Sequence, residues 1–293
     1  MRSGFVSIVG RPNTGKSTLI NAIVNEKIAI VSDVAGTTRN TIQGVYHGDD
    51  FQIVFVDTPG IAKAGDRLAK KLNKESYDSL DDIDAILFVV DAAGGLGKGD
   101  KFILETLKKT DTPVILVLNK IDKLTKEGIF KAITKYKDLY DFQEIIPVSA
   151  LKHINIDELI NITKNYLGDL VKYYDDDVIS SNDPKFMVTE LVREKILNLT
   201  NDEVPHSITC VLESYNEKTS LIEAQVDIVV SRDSLKKIII GKQGSMLKEI
   251  GTQARRDIEK MYKKPVYLEL YVKTIKNWRN KESFLNDNLG LGD

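Results

Sequence analysis

Five apolar runs alternate with amphipathic stretches across the first 170 residues. The runs are "FVSIVG" (5–10), "FQIVFVDT" (51–58), "AILFVVDA" (85–92), "PVILVLNK" (113–120) and "EIIPVSA" (144–150). Most are continuous and rich in Val and Ile, as parallel strands buried on both faces must be. Helical patterns lie over 17–25, 68–79, 101–109, 127–137 and 156–170. This alternation predicts an α/β domain: a doubly wound, mostly parallel sheet with right-handed crossovers. In such sheets ligands bind beyond the carboxyl ends of the strands, so the loops after these runs are where chemistry is expected.

Past Leu170 the pattern changes. "YYDDDVISSNDP" is polar and acidic and ends in Pro184, and residues 171–184 read as a linker. Beyond it come a helix (186–199), two strands (207–214 and 221–230), two helices (234–240 and 245–262) and a strand, "VYLELYVKT". The order α-β-β-α-α-β predicts a smaller α+β domain. The expected division is therefore 1–170, a linker over 171–184, and 185–293 with a C-terminal tail.

Composition excludes several classes. The chain has 293 residues, 42% hydrophobic and 29% charged, enough for one large core or two smaller ones. No apolar run reaches the ~18 residues of a spanning helix. The N-terminal run lacks a cleavage-like end and reads as a first strand. A single cysteine, Cys210, precludes an internal disulfide and fits a reducing cytoplasm. His47, His153 and His206 are scattered, without metal-ligand spacing. Net charge is −2, but residues 232–281 carry 14 basic and 5 acidic side chains. Charge concentrated in this way is a candidate electrostatic footprint, or else a solvated helix face.

The first loop, "GRPNTGKST", matches G-x-x-x-x-G-K-[ST] between a strand and a helix. Asn13, Thr14, Gly15, Lys16, Ser17 and Thr18 would cradle phosphates with backbone N–H groups at a positive helix end. Lys16 reaches the terminal phosphates and the Ser17 hydroxyl can ligate Mg2+. "NKID" follows the fourth run. The Asp122 carboxylate can accept from guanine N1–H and the 2-amino group, which adenine cannot supply together. Asn119 can approach the N7/O6 edge, and the stem of Lys120 can cover a ring face. "SAL", Ser149, Ala150 and Leu151, follows the next run, and the Ala150 N–H can donate to guanine O6. "DTPG" ends the second run: Asp57 can hold Mg2+ through water, and the Gly60 N–H can bond the third phosphate. In "GTTR" (36–39) one threonine closes over the metal and that phosphate, with Thr38 favoured over Thr37.

These five elements, in this order, resemble the translation-factor-like GTPases related to Ras, and in particular the Era, EngA and MnmE group. The resemblance covers about residues 1–170 and implies binding of GTP and GDP with Mg2+ and hydrolysis of GTP. Ras-type enzymes place Gln after the switch glycine; here that position is Ile61, which cannot orient water. Related GTPases with Asn at the place of Asn13 bind K+ there, so a monovalent cation would supply the compensating charge. The resemblance thus gives Asn13, Lys16, Thr38 and Gly60 as the groups acting on the third phosphate, with Ser17, Thr38 and Asp57 for Mg2+ and Asn13 for K+.

In the second domain Gly241-Lys242-Gln243-Gly244 joins two helices after two strands. A G-x-x-G loop in that setting is the KH arrangement, which clamps the backbone of about four single-stranded nucleotides. Lys248 and Arg255 extend its positive surface, with Arg256, Lys260 and Lys263 beyond them on a helix that cannot turn all five to one side. Ile238, Ile239 and Ile240 are groove or core residues. A GTPase of this group followed by a type II KH domain resembles the Era family over nearly the whole chain, although "VSDVAGTTR" is more like EngA. The resemblance implies a monomeric, cytoplasmic ribosome-assembly GTPase that binds 16S rRNA near its 3′ end on the small subunit, not DNA, with reported peripheral membrane contact. Two other readings stay open at this level: an RNA-binding scaffold that keeps GTP as a structural ligand, which Ile61 favours, and a tRNA-modification GTPase of MnmE type.

Overall fold

The computed structural model describes residues 1–34, 36–59, 66–78, 83–168 and 170–289. The chain forms two compact units. One comprises Met1–Ala29, Thr38–Ala64 and Ala69–Ser181; the other comprises Ile30–Thr37, Gly65–Leu68 and Asn182–Asp293.

The first unit is built on a six-stranded sheet. Its strands are β1 (Arg2–Val9), β2 (Ile42–His47), β3 (Phe51–Asp57), β4 (Ala85–Asp91), β5 (Val114–Asn119) and β6 (Glu144–Pro147), in the spatial order β2-β3-β1-β4-β5-β6. All pairings are parallel except β2–β3. The helices are α1 (Lys16–Val24), α2 (Arg67–Asp78), α3 (Lys98–Leu107), α4 (Lys126–Tyr136) and α5 (Ile156–Thr163). The continuous Val/Ile runs are buried as their composition demands: every residue from Ala85 to Val90 has no solvent exposure. β1 lies between β3 and β4, so strand order reverses there and the carboxyl ends of these strands border a crevice.

Two features depart from the sequence reading. β2 falls outside the five apolar runs, because it is a short edge strand interrupted by Gly44. A Cβ at Gly44 would stand 2.6 Å from Ile28 Cδ1, so the strand uses the absence of a side chain to pack against α1's neighbourhood. The segment read as a linker is held along this side of the sheet. Val45 N–H donates to the Ile179 carbonyl at 2.9 Å, Ser180 bridges Gly44, and Gln52 accepts from the N–H groups of Tyr173 and Tyr174. Acidic composition alone does not disclose such main-chain pairing.

The second unit contains α6 (Pro184–Leu199), β7 (Ile208–Glu217), β8 (Ile222–Val230), α7 (Asp233–Ile240), α8 (Ser245–Tyr262), β9 (Val266–Thr274) and α9 (Glu282–Leu289). Asp183 caps α6 by accepting from Lys185 N–H, and Pro184 occupies the first turn, where its missing N–H costs nothing. The sheet order is β7-β8-β9, antiparallel then parallel. One face, Ile222, Ala224, Val226, Ile228 and Val230, packs against Val188, Leu191 and Ile196 of α6 and Ile250, Ala254 and Ile258 of α8. Ile239 of α7 is in this core while Ile238 is 48% exposed. Trp278 is fully buried and donates from Nε1 to the Ser207 carbonyl. Among the described residues no helix is long and apolar enough to cross a membrane.

Candidate functional site

The loops at the carboxyl ends of β1, β3, β5 and β6 carry candidate residues scattered from Asn13 to Leu151. The loop after β1 turns through left-handed backbone at Asn13 (φ 64°) and Gly15 (φ 93°) and enters α1 at Lys16. Gly15 has no substitute. A Cβ there would lie 2.4 Å from Asn119 Nδ2, and its φ is one that side chains avoid. Thr14 is buried and its hydroxyl donates to the Arg11 carbonyl at 3.0 Å, so its side chain shapes the loop from inside. Thr18 sits half-buried in the first turn of α1.

Lys16 is 6% exposed, and its Nζ donates to the carbonyls of Gly10 and Arg11 at 3.2 and 3.3 Å. Burial pulls its ammonium down, against the opposing pull of Asp57. Ser17 Oγ donates to Asp57 Oδ2 at 2.8 Å and lies 2.8 Å from Thr38 Oγ1. The Thr37 hydroxyl instead turns back to the Val34 carbonyl at 2.6 Å. Of the two threonines, Thr38 is the one brought to Ser17. Asp57 is fully buried, and burial pushes its carboxyl up to about 6 although Lys16, Ser17 and the Thr58 N–H pull the other way. Among the described residues its Oδ1 has no hydrogen-bond partner. An orphaned buried carboxylate oxygen beside two hydroxyls and an ammonium fits a hard cation with oxygen ligands. Gly60 and Ile61 lie outside the described residues.

The base-side residues do not all face the way the sequence suggested. Asn119 is 2% exposed, and its polar atoms turn to the protein: Nδ2 to the Thr14 carbonyl, Oδ1 to the N–H groups of Lys120 and Ala150. The Ala150 N–H is therefore committed to Asn119 here. Lys120 donates to the Asn13 carbonyl and to Asp91 at 2.7 Å, which anchors the ammonium and lays its stem along the phosphate loop. Burial raises the Asp91 carboxyl, but Lys120 and the Gly94 and Ala93 N–H groups outweigh it and hold it low. Asp122 is exposed, and the Ser149 hydroxyl donates to its Oδ1 at 2.5 Å. Leu151 is 67% exposed.

In the second unit the G-x-x-G segment is a tight connection between α7 and α8. Gly241 has φ 72°, and a Cβ there would meet the backbone N of Met246 at 2.8 Å. Gln243 is itself left-handed (φ 52°), and Lys242 and Gln243 are exposed at the tip. From this loop a groove of about 450 Å³ runs between α8 and β9. It is lined by Gly244, Leu247, Lys248, Gly251, Arg255 and Leu270, among others. Positions 244, 248, 251 and 255 recur at helical spacing, so one face of α8 carries both cations with an apolar floor between them. Lys248 and Arg255 were legible from sequence. Gly251 and Leu270 were not, because only the packed sheet sets β9 opposite α8.

A family model described as a 50S ribosome-binding GTPase matches residues 5–120, and one described as a KH domain matches residues 203–279. A solved structure of an Aquifex aeolicus Era variant bound to GDP·AlF4⁻ is 38% identical, with all of each chain covered and a TM-score of 0.95.

This chain belongs to the Era family.

A second Era structure, in complex with MgGDPNP and nucleotides 1506–1542 of 16S ribosomal RNA, is likewise 38% identical with full coverage of both chains and a TM-score of 0.96. The Era-family fold, a mostly parallel GTPase sheet followed by a three-stranded KH domain, is thus the fold of this chain.

Proposed function

We propose that this protein is a GTP-hydrolysing assembly factor that binds single-stranded 16S rRNA near its 3′ end during small-subunit maturation. The observation that carries the reading is the convergence of Ser17, Thr38 and Asp57 beside Lys16, at the mouth of a phosphate loop in a chain whose full-length relatives hold GDP·AlF4⁻ or MgGDPNP. Lys16 would meet the terminal phosphates, and Ser17, Thr38 and Asp57 would hold Mg2+, which neutralises charge building on the transferred phosphoryl group. Asp122 reads the guanine edge. Asn119 serves from behind, fixing the loops that surround the base. Asn13, at a left-handed turn beside Lys16, would take K+ with its side-chain oxygen.

The groove beside Gly241–Gly244 is the proposed RNA site. Lys242 meets phosphate at its tip, Lys248 and Arg255 continue along it, and the apolar floor accepts unstacked bases. The same family likeness carries monomeric action in the cytoplasm with peripheral membrane contact.

The deciding experiment combines GTP turnover with crosslinking of the GTP-loaded full chain to ribosomal RNA and sequencing of the attached fragments. Mg2+-dependent turnover with crosslinks clustered at the 3′ end of 16S rRNA is expected. Crosslinks elsewhere, or none, would overturn the RNA assignment; GTP binding without turnover would leave a scaffold.

A further inference from the structure

Arg11 and Lys16 are the charged side chains of the first loop. The Arg11 guanidinium leaves that loop for the start of α3, and both ends of the contact lie in the first compact unit. Its Nε donates to Asp100 Oδ1 at 2.7 Å and its Nη2 to the Gly95 carbonyl at 3.2 Å. Asp100 has no solvent exposure. Its other oxygen, Oδ2, accepts from Gly97 N–H at 2.7 Å, as a carboxylate three residues into a helix does for the cap residue. The Tyr136 hydroxyl donates to the same oxygen at 3.4 Å. Capping α3 thus uses Oδ2, while Oδ1 is given to Arg11.

The first turn of α3 is shaped around this arginine. Neither Gly97 nor Gly99 takes a left-handed φ, so the backbone does not call for glycine at either place. A Cβ at Gly99 would stand 2.6 Å from Arg11 Cδ and 2.8 Å from Arg11 Cγ, and one at Gly97 would stand 2.8 Å from Nη1. Glycine inside a helix is unfavourable relative to alanine. What it makes room for here is the Arg11 stem.

The main chain of Arg11 serves the phosphate loop. Its carbonyl accepts from the Thr14 hydroxyl at 3.0 Å and from Lys16 Nζ at 3.3 Å. The Gly10 carbonyl accepts from the same Nζ at 3.2 Å. Pro12 follows and narrows the backbone choices of Arg11. With the side chain seated on α3 and the backbone so confined, the direction of the Arg11 carbonyl is set. An ammonium has three N–H bonds. Two of those on Lys16 go to carbonyls, and those carbonyls decide where the third points.

We infer that Arg11 is a positioning residue for the nucleotide reaction: seated on Asp100 and on the glycines that open α3, it holds the carbonyl that aims the Lys16 ammonium at the terminal phosphates. The inference rests on the reading of Lys16 as the lysine that meets those phosphates. The effect of Arg11 passes through Lys16, so it vanishes when Lys16 is removed. A purely structural ion pair between the loop and α3 would instead lower thermal stability and leave nucleotide affinity and turnover as they are.

The test uses the full chain. It compares the parent with Gly99→Ala, with Arg11→Met/Asp100→Asn and with Lys16→Ala, and combines Lys16→Ala with each of the other two. Affinity for GDP, GTP turnover at saturation and thermal melting are measured. Gly99→Ala keeps both charges and suits a helix better than glycine, so it pushes Arg11 off its seat without weakening α3. The double variant removes both charges together, so neither is left unpaired. Each should lower GDP affinity and turnover about tenfold, the scale of one misdirected hydrogen bond from a charged group. In the Lys16→Ala background each should change GDP affinity by less than about twofold, because the group being aimed is gone. Parental affinity and turnover in Gly99→Ala would overturn the inference, whatever its melting temperature. A loss of equal size with and without Lys16 would overturn it too. If the double variant does not fold, Gly99→Ala decides alone. Parental GDP affinity and turnover in Lys16→Ala would instead remove the reading of Lys16, and the inference with it.

Discussion

The Asn119 side-chain amide donates to the Thr14 carbonyl at 2.9 Å, across 105 positions of sequence. Its oxygen accepts from Lys120 N–H at 2.8 Å and from Ala150 N–H at 3.1 Å. One buried side chain thus ties the phosphate loop, the loop after β5 and the loop after β6. Asn119→Ala should weaken GTP, GDP and xanthosine nucleotides by the same factor, with a cost of roughly 2–4 kcal/mol for orphaned buried partners. Equilibrium binding of the three nucleotides checks this; a loss confined to guanine would mean that Asn119 contacts the base directly.

Guanine selectivity should rest on Asp122. Its carboxylate accepts a hydrogen bond from the Ser149 hydroxyl, which orients it at the exposed end of the site. Asp122→Asn turns an acceptor into a donor that faces the donors of guanine, a mismatch worth roughly 1–3 kcal/mol. Competition between GTP and XTP should shift toward XTP. An unchanged ratio would place the base elsewhere.

Asp57 should make the stability of the nucleotide-free protein depend on acid in an unusual sense. Its folded pKa is raised from 3.8 to about 6, so the folded state holds the proton more tightly than the unfolded one. Stability then falls as pH rises from about 4 to about 6, and the loss is complete above that window, by roughly 3 kcal/mol at most. Chemical denaturation at pH steps, with the Asp57→Asn curve subtracted, should isolate the slope; a difference that is flat or rising would refute it.

Hydrolysis should require Mg2+ and run faster in K+ than in Na+. Asn13 stands at a left-handed turn at the head of the loop, and the proposed K+ site would use its side-chain oxygen together with phosphate oxygens. Asn13→Ala should abolish the difference between the salts and leave GDP affinity largely intact. Equal parental rates in both salts would remove K+ from the site.

RNA binding should be separable from GTP chemistry. Lys242 and Gln243 are exposed at the tip between α7 and α8. Replacing both with Asp puts negative charge against the RNA backbone. Affinity should drop severely, and the log–log salt slope should flatten by about 0.7 for each lost phosphate contact. Basal GTP turnover serves as the control. Undiminished RNA affinity in the folded double variant would move the RNA site away from this loop.

The sequence by itself determined most of the strands and helices, though not β2 or α9, and the ligand class. Continuous Val/Ile runs can only be buried on both faces, and the glycines of the two loops, Gly15 and Gly241, fall at left-handed positions where a Cβ would collide with its neighbours. It also placed Lys16, Ser17, Asp57 and Asp122, because each sits at a fixed offset from a strand end, and strand ends share one edge of a parallel sheet. Strand pairing and long-range partners were decided only by the tertiary structure. β2 is too short and too glycine-interrupted to show a period, and residues 171–181 pair through main-chain groups that carry no residue code. The choice of Thr38 over Thr37 depends on which hydroxyl the turn directs to Ser17 and which it sends back to Val34. Asn119 shows the same limit from the other side. Its presence in "NKID" was legible, but its service to Thr14 and Ala150 was not, since a side chain's hydrogen-bond partners are fixed by how distant loops pack and not by its neighbours in sequence.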